Sequence, residues 1–220
     1  MQKFLREPKY PVNHQNVNGW TALHWAAYNG HISIAKSLFS MNGIEINIKE
    51  KLGGQTPLHV AARVGESDMV KLLVSQPKIH INEKNDALLT SLHEAVMNDN
   101  IKVVDTLLSH KDADINIKDG DGRTPLHYVF MNRNSSILSL LLSNQNIDAN
   151  ARDNSGETPL HLLARHCSYI GAFEILLADK RVKASLKSND GKTPSDLITR
   201  EDIQALIINR PVHEENNKGL

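Results

Sequence analysis

Apolar residues recur along this chain with a spacing that fits one face of an α-helix. Four positions, 13, 14, 17 and 18 residues after a threonine, are apolar following Thr21, Thr56, Thr90 and Thr124. After Thr21 they are Ile34, Ala35, Leu38 and Phe39. Offsets of one, three and four residues place such side chains on a single stripe. The pattern predicts an amphipathic helix in each of these units.

Each threonine opens a short phrase that returns at an almost constant interval. It reads T-A-L-H-W-A-A from Thr21 and T-P-L-H-V-A-A from Thr56. The six copies begin at Thr21, Thr56, Thr90, Thr124, Thr158 and Thr193. Their steps are 35, 34, 34, 34 and 35 residues. A fixed period of this size indicates a stack of small units, numbered here as repeats one to six, that bury apolar surface against their neighbours.

Local signals predict how one repeat is built. The threonine can cap a first, inner helix, and a proline often follows it, as at Pro57, where a missing N–H costs nothing. The inner helix should end at a left-handed residue, which is Gly30 or Gly65 in the first two repeats. In the later repeats this position falls on Asp99, Arg133 and the region of Cys167. A tight finger loop then precedes the next threonine, with a glycine such as Gly122 or Gly156 two residues before it.

The phrase resembles the ankyrin repeat, whose usual core is T-P-L-H-x-A-A on a period of about 33 residues. A recurring asparagine 26 residues after the threonine, at Asn47, Asn82, Asn116 and Asn150, strengthens the likeness. The resemblance implies an all-α repeat solenoid of helix–turn–helix units with β-hairpin finger loops and a concave binding groove. It covers a domain at 14–210, with repeats at about 16–48, 51–83, 85–117, 119–151, 153–186 and 188–210. Residues 1–13 are expected to be the remnant of a preceding partial repeat, and 211–220 a disordered polar tail.

Composition argues against several other classes of protein. The formal charge is zero, so no global field favours nucleic acid or an anionic membrane. Cys167 is the single cysteine, which excludes an intrachain disulfide and a cysteine-based metal cluster. No apolar run reaches the length of a membrane span, and the first residues lack a signal-peptide core. We expect a cytoplasmic protein, or one delivered into a host cytoplasm if it is a secreted bacterial effector.

Five histidines are the fourth letter of the phrase: His24, His59, His93, His127 and His161. One helix-packing distance per repeat, about 8–10 Å, separates them too widely to share a zinc ion with ligands at about 2 Å. We expect them to bond backbone groups of the finger loops. The adjacent His166 and Cys167 point in different directions on a helix and make a poor catalytic pair. The sequence predicts neither an enzyme nor a cofactor or metal site.

In the family that the phrase resembles, partners bind through fingers and inner helices. The positions left free by the structural letters give the predicted partner-binding residues Trp20, Tyr28, Leu52, Arg63, Val64, Leu89, Met97, Arg123, Met131 and Arg165. The apolar members concentrate in repeats one to four, so we expect a protein-binding groove centred on repeats one to three, with the arginines as polar anchors. The alternative is that Trp20 and Leu89 only pack against the neighbouring finger.

Two repeats depart from the pattern. Repeat three has Leu88 in place of the finger glycine, which predicts an atypical and apolar fingertip. Repeat four has Val129 and Phe130 in place of two alanines of the inner helix. Their bulk should push neighbouring inner helices apart or be absorbed by smaller partners, and the curvature should change around repeats three to five.

The leading functional hypothesis is a monomeric, non-catalytic adaptor that binds a partner protein through six repeats. The alternative is a segment that recruits substrates or host targets for a larger enzyme or effector, and a self-associating structural role is a third option. Family analogy also makes Asn116 and Asn150, eight residues after Leu108 and Leu142, candidates for hydroxylation by an asparaginyl hydroxylase.

Overall fold

The computed structural model describes residues 11–131, 135–166, 170–198, 204 and 207. Helices follow one another in pairs, and no strand is found within these segments. The α-helices are α1 (Ala22–Tyr28), α2 (Ile32–Phe39), α3 (Pro57–Val64), α4 (Ser67–Val74), α5 (Ser91–Met97), α6 (Ile101–Leu108), α7 (Ser135–Ser143), α8 (Pro159–His166) and α9 (Ile170–Ala178). Two 3₁₀ helices occupy Pro125–Met131 and Pro194–Leu197.

The helices form two layers. The inner layer is the series α1, α3, α5, Pro125–Met131, α8 and Pro194–Leu197, in which each member packs on the next. The outer layer is α2, α4, α6, α7 and α9, and each outer helix packs on the inner helix of its own repeat. One continuous apolar core runs between the layers, from Leu23 in α1 to Ile207. The predicted helix–turn–helix solenoid is confirmed.

The phrase threonine begins each inner helix as predicted. In repeat two, Thr56 is extended, and its hydroxyl accepts a hydrogen bond from the backbone N–H of His59. The His59 ring in turn accepts one from the backbone N–H of Thr56 at 3.2 Å, so the two residues cap each other. Thr21, Thr90 and Thr193 make reciprocal caps with the third residue of their helices.

The five phrase histidines also tie each repeat to the next finger. Nε2 of His59 lies 3.0 Å from the carbonyl oxygen of Leu89, and Nε2 of His93 lies 3.1 Å from that of Arg123. The other three reach the carbonyls of Gln55, Glu157 and Lys192. A carbonyl can only accept, so Nε2 carries the proton and Nδ1 is left to accept from threonine. The predicted bonding of these histidines to the finger backbone is confirmed.

Left-handed residues lie where the sequence predicts them. Gly30, Gly65 and Asp99 have φ of 65°, 88° and 56°. Arg133 and Cys167, the corresponding residues of repeats four and five, lie outside the described residues. Leu88 has φ of 60°, in the left-handed region and close to the 66° of the equivalent finger glycine Gly54. The prediction of an atypical fingertip is therefore wrong for the backbone, because Leu88 adopts the glycine conformation, and it is right only for the side chain, which is apolar and exposed.

The inner helix of repeat four differs from the others. Its residues form a 3₁₀ helix in which Val129 is buried, while the Phe130 ring lies 4.9 Å from the ring of His166 in repeat five. Val129 and Phe130 thus lie in a helix of a different type from the other long inner helices, and Phe130 contacts the next repeat. The expected change of curvature stays a prediction.

Each recurring asparagine links two consecutive repeats through hydrogen bonds of both polar atoms of its side chain, Nδ2 and Oδ1. Nδ2 of Asn82 donates to the carbonyl of Asp112 at 2.7 Å, and its Oδ1 accepts from the N–H of Asp114 at 3.0 Å. Asn13, Asn47, Asn116 and Asn150 make the same pair of bonds one repeat length along the chain. These residues form a ladder that we call the asparagine ladder.

Candidate functional site

Three positions in each repeat lie on the inner helix and directly before its threonine, and contacts such as Trp20–Trp25, Arg123–Tyr128 and Glu157–Arg165 bring them together. They are the residue before the phrase threonine and the fourth and seventh residues after it. In repeats one to five they are Trp20, Trp25, Tyr28; Gln55, Val60, Arg63; Leu89, Glu94, Met97; Arg123, Tyr128, Met131; and Glu157, Leu162, Arg165. We call this grid of fifteen residues the inner face.

Repeat one carries three aromatic rings in mutual contact. Trp25 and Tyr28 are three residues apart on α1, on the side opposite its buried Leu23, Ala26 and Ala27. The Trp20 ring lies 4.7 Å from that of Trp25 and 5.8 Å from that of Tyr28, centre to centre. Trp25 and Tyr28 remain 50% and 44% exposed although they are large and apolar. The cluster is therefore preorganised by ring contacts and still open to a partner.

Repeats two and three meet at a buried carboxylate. Glu94 on α5 is 5% exposed, and its Oε1 lies 3.3 Å from Nδ2 of Asn85 and 3.4 Å from Nε2 of Gln55. Burial raises the pKa of the Glu94 carboxyl, while the charge of Arg63 on α3 opposes the shift. Arg63 itself is half-buried, and its Nε is enclosed without a hydrogen-bond partner.

Repeat four holds its polar residues in an internal network. The Tyr128 hydroxyl donates to Asp119 at 2.5 Å, and burial followed by this carboxylate raises the pKa of Tyr128 to about 12. Arg123 lies 3.5 Å from Asp121 and 3.8 Å from Asp153, with its guanidinium 6.0 Å from the Tyr128 ring. These carboxylates balance the charge of Arg123, although its Nε, like that of Arg63, is enclosed without a hydrogen-bond partner.

Repeat five neutralises its arginine in the same way. Arg165, at the end of α8, donates to the carboxylate of Glu157, which is almost fully buried at the base of the finger. An arginine that is held by a buried carboxylate is less available to a partner protein.

The chain matches the family model described as ankyrin repeats (3 copies) at residues 1–85, 41–119 and 92–190. These overlapping segments cover far more than half of the 220 residues. The protein belongs to the ankyrin repeat family. Domains of this family are protein–protein interaction modules and are generally non-catalytic.

A solved ankyrin repeat domain has the same fold. The crystal structure of the ankyrin repeat domain of Bcl-3, described as a unique member of the IkappaB protein family, superposes with a TM-score of 0.81. The two chains are 25% identical, and the match covers 90% of this chain and 86% of that one. No curated protein matches the sequence of this ankyrin repeat protein.

The predicted partner-binding residues of this ankyrin repeat protein fall into three groups. Tyr28, Leu52, Val64 and Met131 are exposed, Leu52 most of all at 77%. Trp20, Leu89 and Met97 are half-buried, and the last two pack against the core. The three arginines differ in their surroundings, because Arg123 and Arg165 have carboxylate partners and Arg63 does not. Their role in binding stays a prediction.

The sequence pattern does not predict three of the inner-face residues, Trp25, Glu94 and Tyr128. They occupy the fourth position after the threonine, which lies inside the recurring phrase. That position is Trp, Val, Glu, Tyr and Leu in repeats one to five, and this variation is the signal in the sequence that distinguishes it. A position that tolerates such different side chains is not set by packing alone.

The described part of the chain shows neither a metal site nor a membrane span. It contains no group of three or more His, Cys, Asp or Glu side chains suited to a metal ion. No helix there is long and apolar enough to span a bilayer. A cleft of about 880 Å³ lies between the loops around Met41 and Ile79, away from the inner face, and is lined mostly by loop residues.

The hydroxylation candidates Asn116 and Asn150 are members of the asparagine ladder. Their side-chain amides donate to Asn146 and Arg181 at 2.7 Å. An enzyme acting on either residue would have to displace these bonds.

Proposed function

We propose that this ankyrin repeat protein is a non-catalytic adaptor module that binds a partner protein through the concave face of its six repeats, on which the inner face of repeats one to five lies. The observation that carries the proposal is the aromatic cluster of Trp20, Trp25 and Tyr28 at one end of that face, in which Trp25 and Tyr28 are exposed. Large aromatic residues concentrate at the centres of protein interfaces, where they contribute most of the binding free energy.

Further apolar residues extend this surface along the repeats. Leu52, Val64 and Met131 are exposed on the fingers and inner helices, and Met97 lies half-buried between them. Methionine side chains adapt to irregular partners. We place the centre of the binding surface at repeats one to three, with Arg63, Arg123 and Arg165 as polar contacts and Leu89 as a supporting contact. We further propose that the protein acts as a monomer in the cytoplasm.

The test is affinity capture from a lysate of the source cell with three forms of the chain. The first is unaltered, and the second carries Trp25→Ala and Tyr28→Ala. The third carries Ile34→Ala and Met41→Ala, which remove residues of similar exposure, 47% and 45%, from the outer helix and its following loop. We expect a partner that the first and third forms retain and the second loses. A partner retained equally by all three would place the binding surface elsewhere and contradict the proposal.

Asn116 and Asn150 are proposed sites of hydroxylation. The chain would be exposed to an asparaginyl hydroxylase and its intact mass measured beside that of an Asn116→Ala, Asn150→Ala variant. An added oxygen on the first protein and none on the second is expected, and an unchanged mass of the first contradicts the proposal.

A further inference from the structure

Arg63 and Arg165 occupy the same position of their repeats, seven residues after Thr56 and Thr158. Both lie at the end of an inner helix, and the fourth residue after each threonine is aliphatic, Val60 in one repeat and Leu162 in the other. The groups that balance the charges of these two arginines can therefore be compared position by position.

Arg63 in repeat two lacks the counter-ion that Arg165 has in repeat five. Arg165 donates to Glu157, the residue before the phrase threonine. The residue at that position in repeat two is Gln55, whose amide is neutral and points to Glu94 of repeat three at 3.4 Å. Within the described chain the Arg63 side chain makes no hydrogen bond or ion pair, and its Nε is enclosed. Glu94 attracts it electrostatically but gives it no direct contact.

An enclosed guanidinium nitrogen without a partner is unfavourable, and a carboxylate is the group that satisfies it best, through paired N–H···O bonds. Tyr28 of the aromatic cluster occupies the same position in repeat one as Arg63 in repeat two, and their helices α1 and α3 pack on each other. Leu52 and Val64 of repeat two are also exposed.

We propose that the partner is a peptide segment that presents a carboxylate to Arg63 and apolar side chains to the aromatic cluster. The partner's carboxylate takes the place that Glu157 fills for Arg165. This inference rests on the proposed function and specifies the chemistry of its partner, namely an acidic side chain set among aliphatic or aromatic ones.

The experiment selects a phage-displayed library of random 15-residue peptides on the immobilised full chain. Selected peptides are then synthesised with each Asp or Glu, or with the corresponding Asn or Gln, and their dissociation constants measured on the unaltered chain and on variants. Circular dichroism of each variant confirms that it is folded.

Two variants test the role of Arg63. Arg63→Gln removes the charge, and Gln55→Glu supplies the internal counter-ion that repeat five possesses. Either change should weaken binding of the acidic peptides by about tenfold or more, as expected for loss of a charge-assisted hydrogen bond of about 1.5 kcal/mol or more. On Arg63→Gln, the acidic and amide forms of a peptide should bind equally, which a merely structural role of Arg63 would not produce.

Glu157→Gln is the matched control, because it frees Arg165 at the far end of the inner face. It should leave the affinity of the selected peptides within about twofold, since the change lies far from the proposed contact.

The outcomes separate this inference from the proposed function. Three results would overturn the inference and leave the proposed function standing. In the first, the peptides need Trp25 and Tyr28 but show no preference for acidic residues. In the second they prefer basic residues that contact Glu94, and in the third their preference for acidic residues persists in both variants. Peptides that bind the Trp25→Ala, Tyr28→Ala protein as well as the unaltered chain would count against the proposed function itself. A library that yields no binder overturns the inference, and the lysate capture then decides the function.

Discussion

At the scale of single residues, the phrase histidines contribute to stability as neutral, two-sided hydrogen-bonding groups. His59 accepts from the N–H of Thr56 through Nδ1 and donates through Nε2 to the carbonyl of Leu89 in the next finger. Its ring is fully buried. A buried polar group held at both ends is costly to remove, because each former partner loses its bond.

His59→Ala should therefore lower the free energy of unfolding by about 3 kcal/mol, from the lost bonds and the space left in the core. His80→Ala is the control, since that side chain is exposed and lies 3.4 Å from the Glu83 carboxylate at the surface, and the change should cost at most about 0.5 kcal/mol. Urea unfolding followed by circular dichroism measures both. Equal midpoints for the two variants would argue against the bridging role.

The same burial makes the fold sensitive to acid. Desolvation lowers the pKa of His59 and of His93 to about 4, although hydrogen bonds to Leu89 and Arg123 oppose the shift, against an ordinary value of 6.5. Because these pKa values are depressed on folding, their contribution to stability is complete above pH 6.5 and is lost as the pH falls toward 4.

We expect the melting temperature to be flat from pH 8 to 7 and to fall between pH 6.5 and 4. His59→Gln, which removes the titrating group, should fall less steeply over the same interval. A melting temperature of the unaltered chain that stays constant down to pH 4 would show that these histidines do not titrate as described.

At the scale of elements, a finger keeps its backbone shape even where the usual residue is absent. Leu88 adopts φ of 60° and donates its N–H to the Asn85 carbonyl at 2.9 Å, as Gly156 does to Asp153. The bonds around the loop and the packing of its neighbours impose this conformation on a side chain that disfavours it.

Leu88→Gly should consequently raise the free energy of unfolding by up to about 1 kcal/mol, because it removes the strain of a left-handed leucine. Leu52→Gly is the matched control: Leu52 is an exposed finger leucine outside the positive-φ residues, and its replacement should be neutral or destabilising by about 0.5–1 kcal/mol. Thermal denaturation of both variants decides the matter. If Leu88→Gly were the more destabilising of the two, the leucine would be unstrained.

At the scale of the whole molecule, stability passes from each repeat to its neighbours. The asparagine ladder, the histidine bridges and the shared core all connect residues about one repeat apart. In such a stack a defect between two repeats separates the cooperative units on its two sides. Both tryptophans, Trp20 and Trp25, belong to repeat one, so their fluorescence reports on one end and circular dichroism on the whole.

Asn82→Ala breaks the ladder between repeats two and three and should widen the gap between the urea midpoints measured by fluorescence and by circular dichroism. Asn150→Ala breaks the same two kinds of bond far from the tryptophans. It should leave the fluorescence midpoint nearer that of the unaltered chain. Identical behaviour of the two variants would mean that the chain unfolds as a single unit.

The architecture was predictable because its signals are local and repeated. A threonine cap, a proline, a histidine and an apolar stripe recur every 34 or 35 residues, and each acts within its own helix or on the adjacent finger. The left-handed positions at Gly30, Gly65 and Asp99 could be assigned for the same reason. The 3₁₀ form of Pro125–Met131 could not, because it depends on how Val129 and Phe130 meet their neighbours.

The sequence by itself determined the repeat, the order of helices and the family. Only the tertiary structure decided which inner-face charges are balanced. Arg63 and Arg165 occupy equivalent positions in the sequence, with Gln55 and Glu157 at the matching position before the threonine. Only the structure shows that Glu157 binds Arg165 and that Gln55 lies against Glu94, 39 residues away in the next repeat. Contacts between repeats depend on which side chains the stacking brings within reach, and periodicity alone carries no information about that.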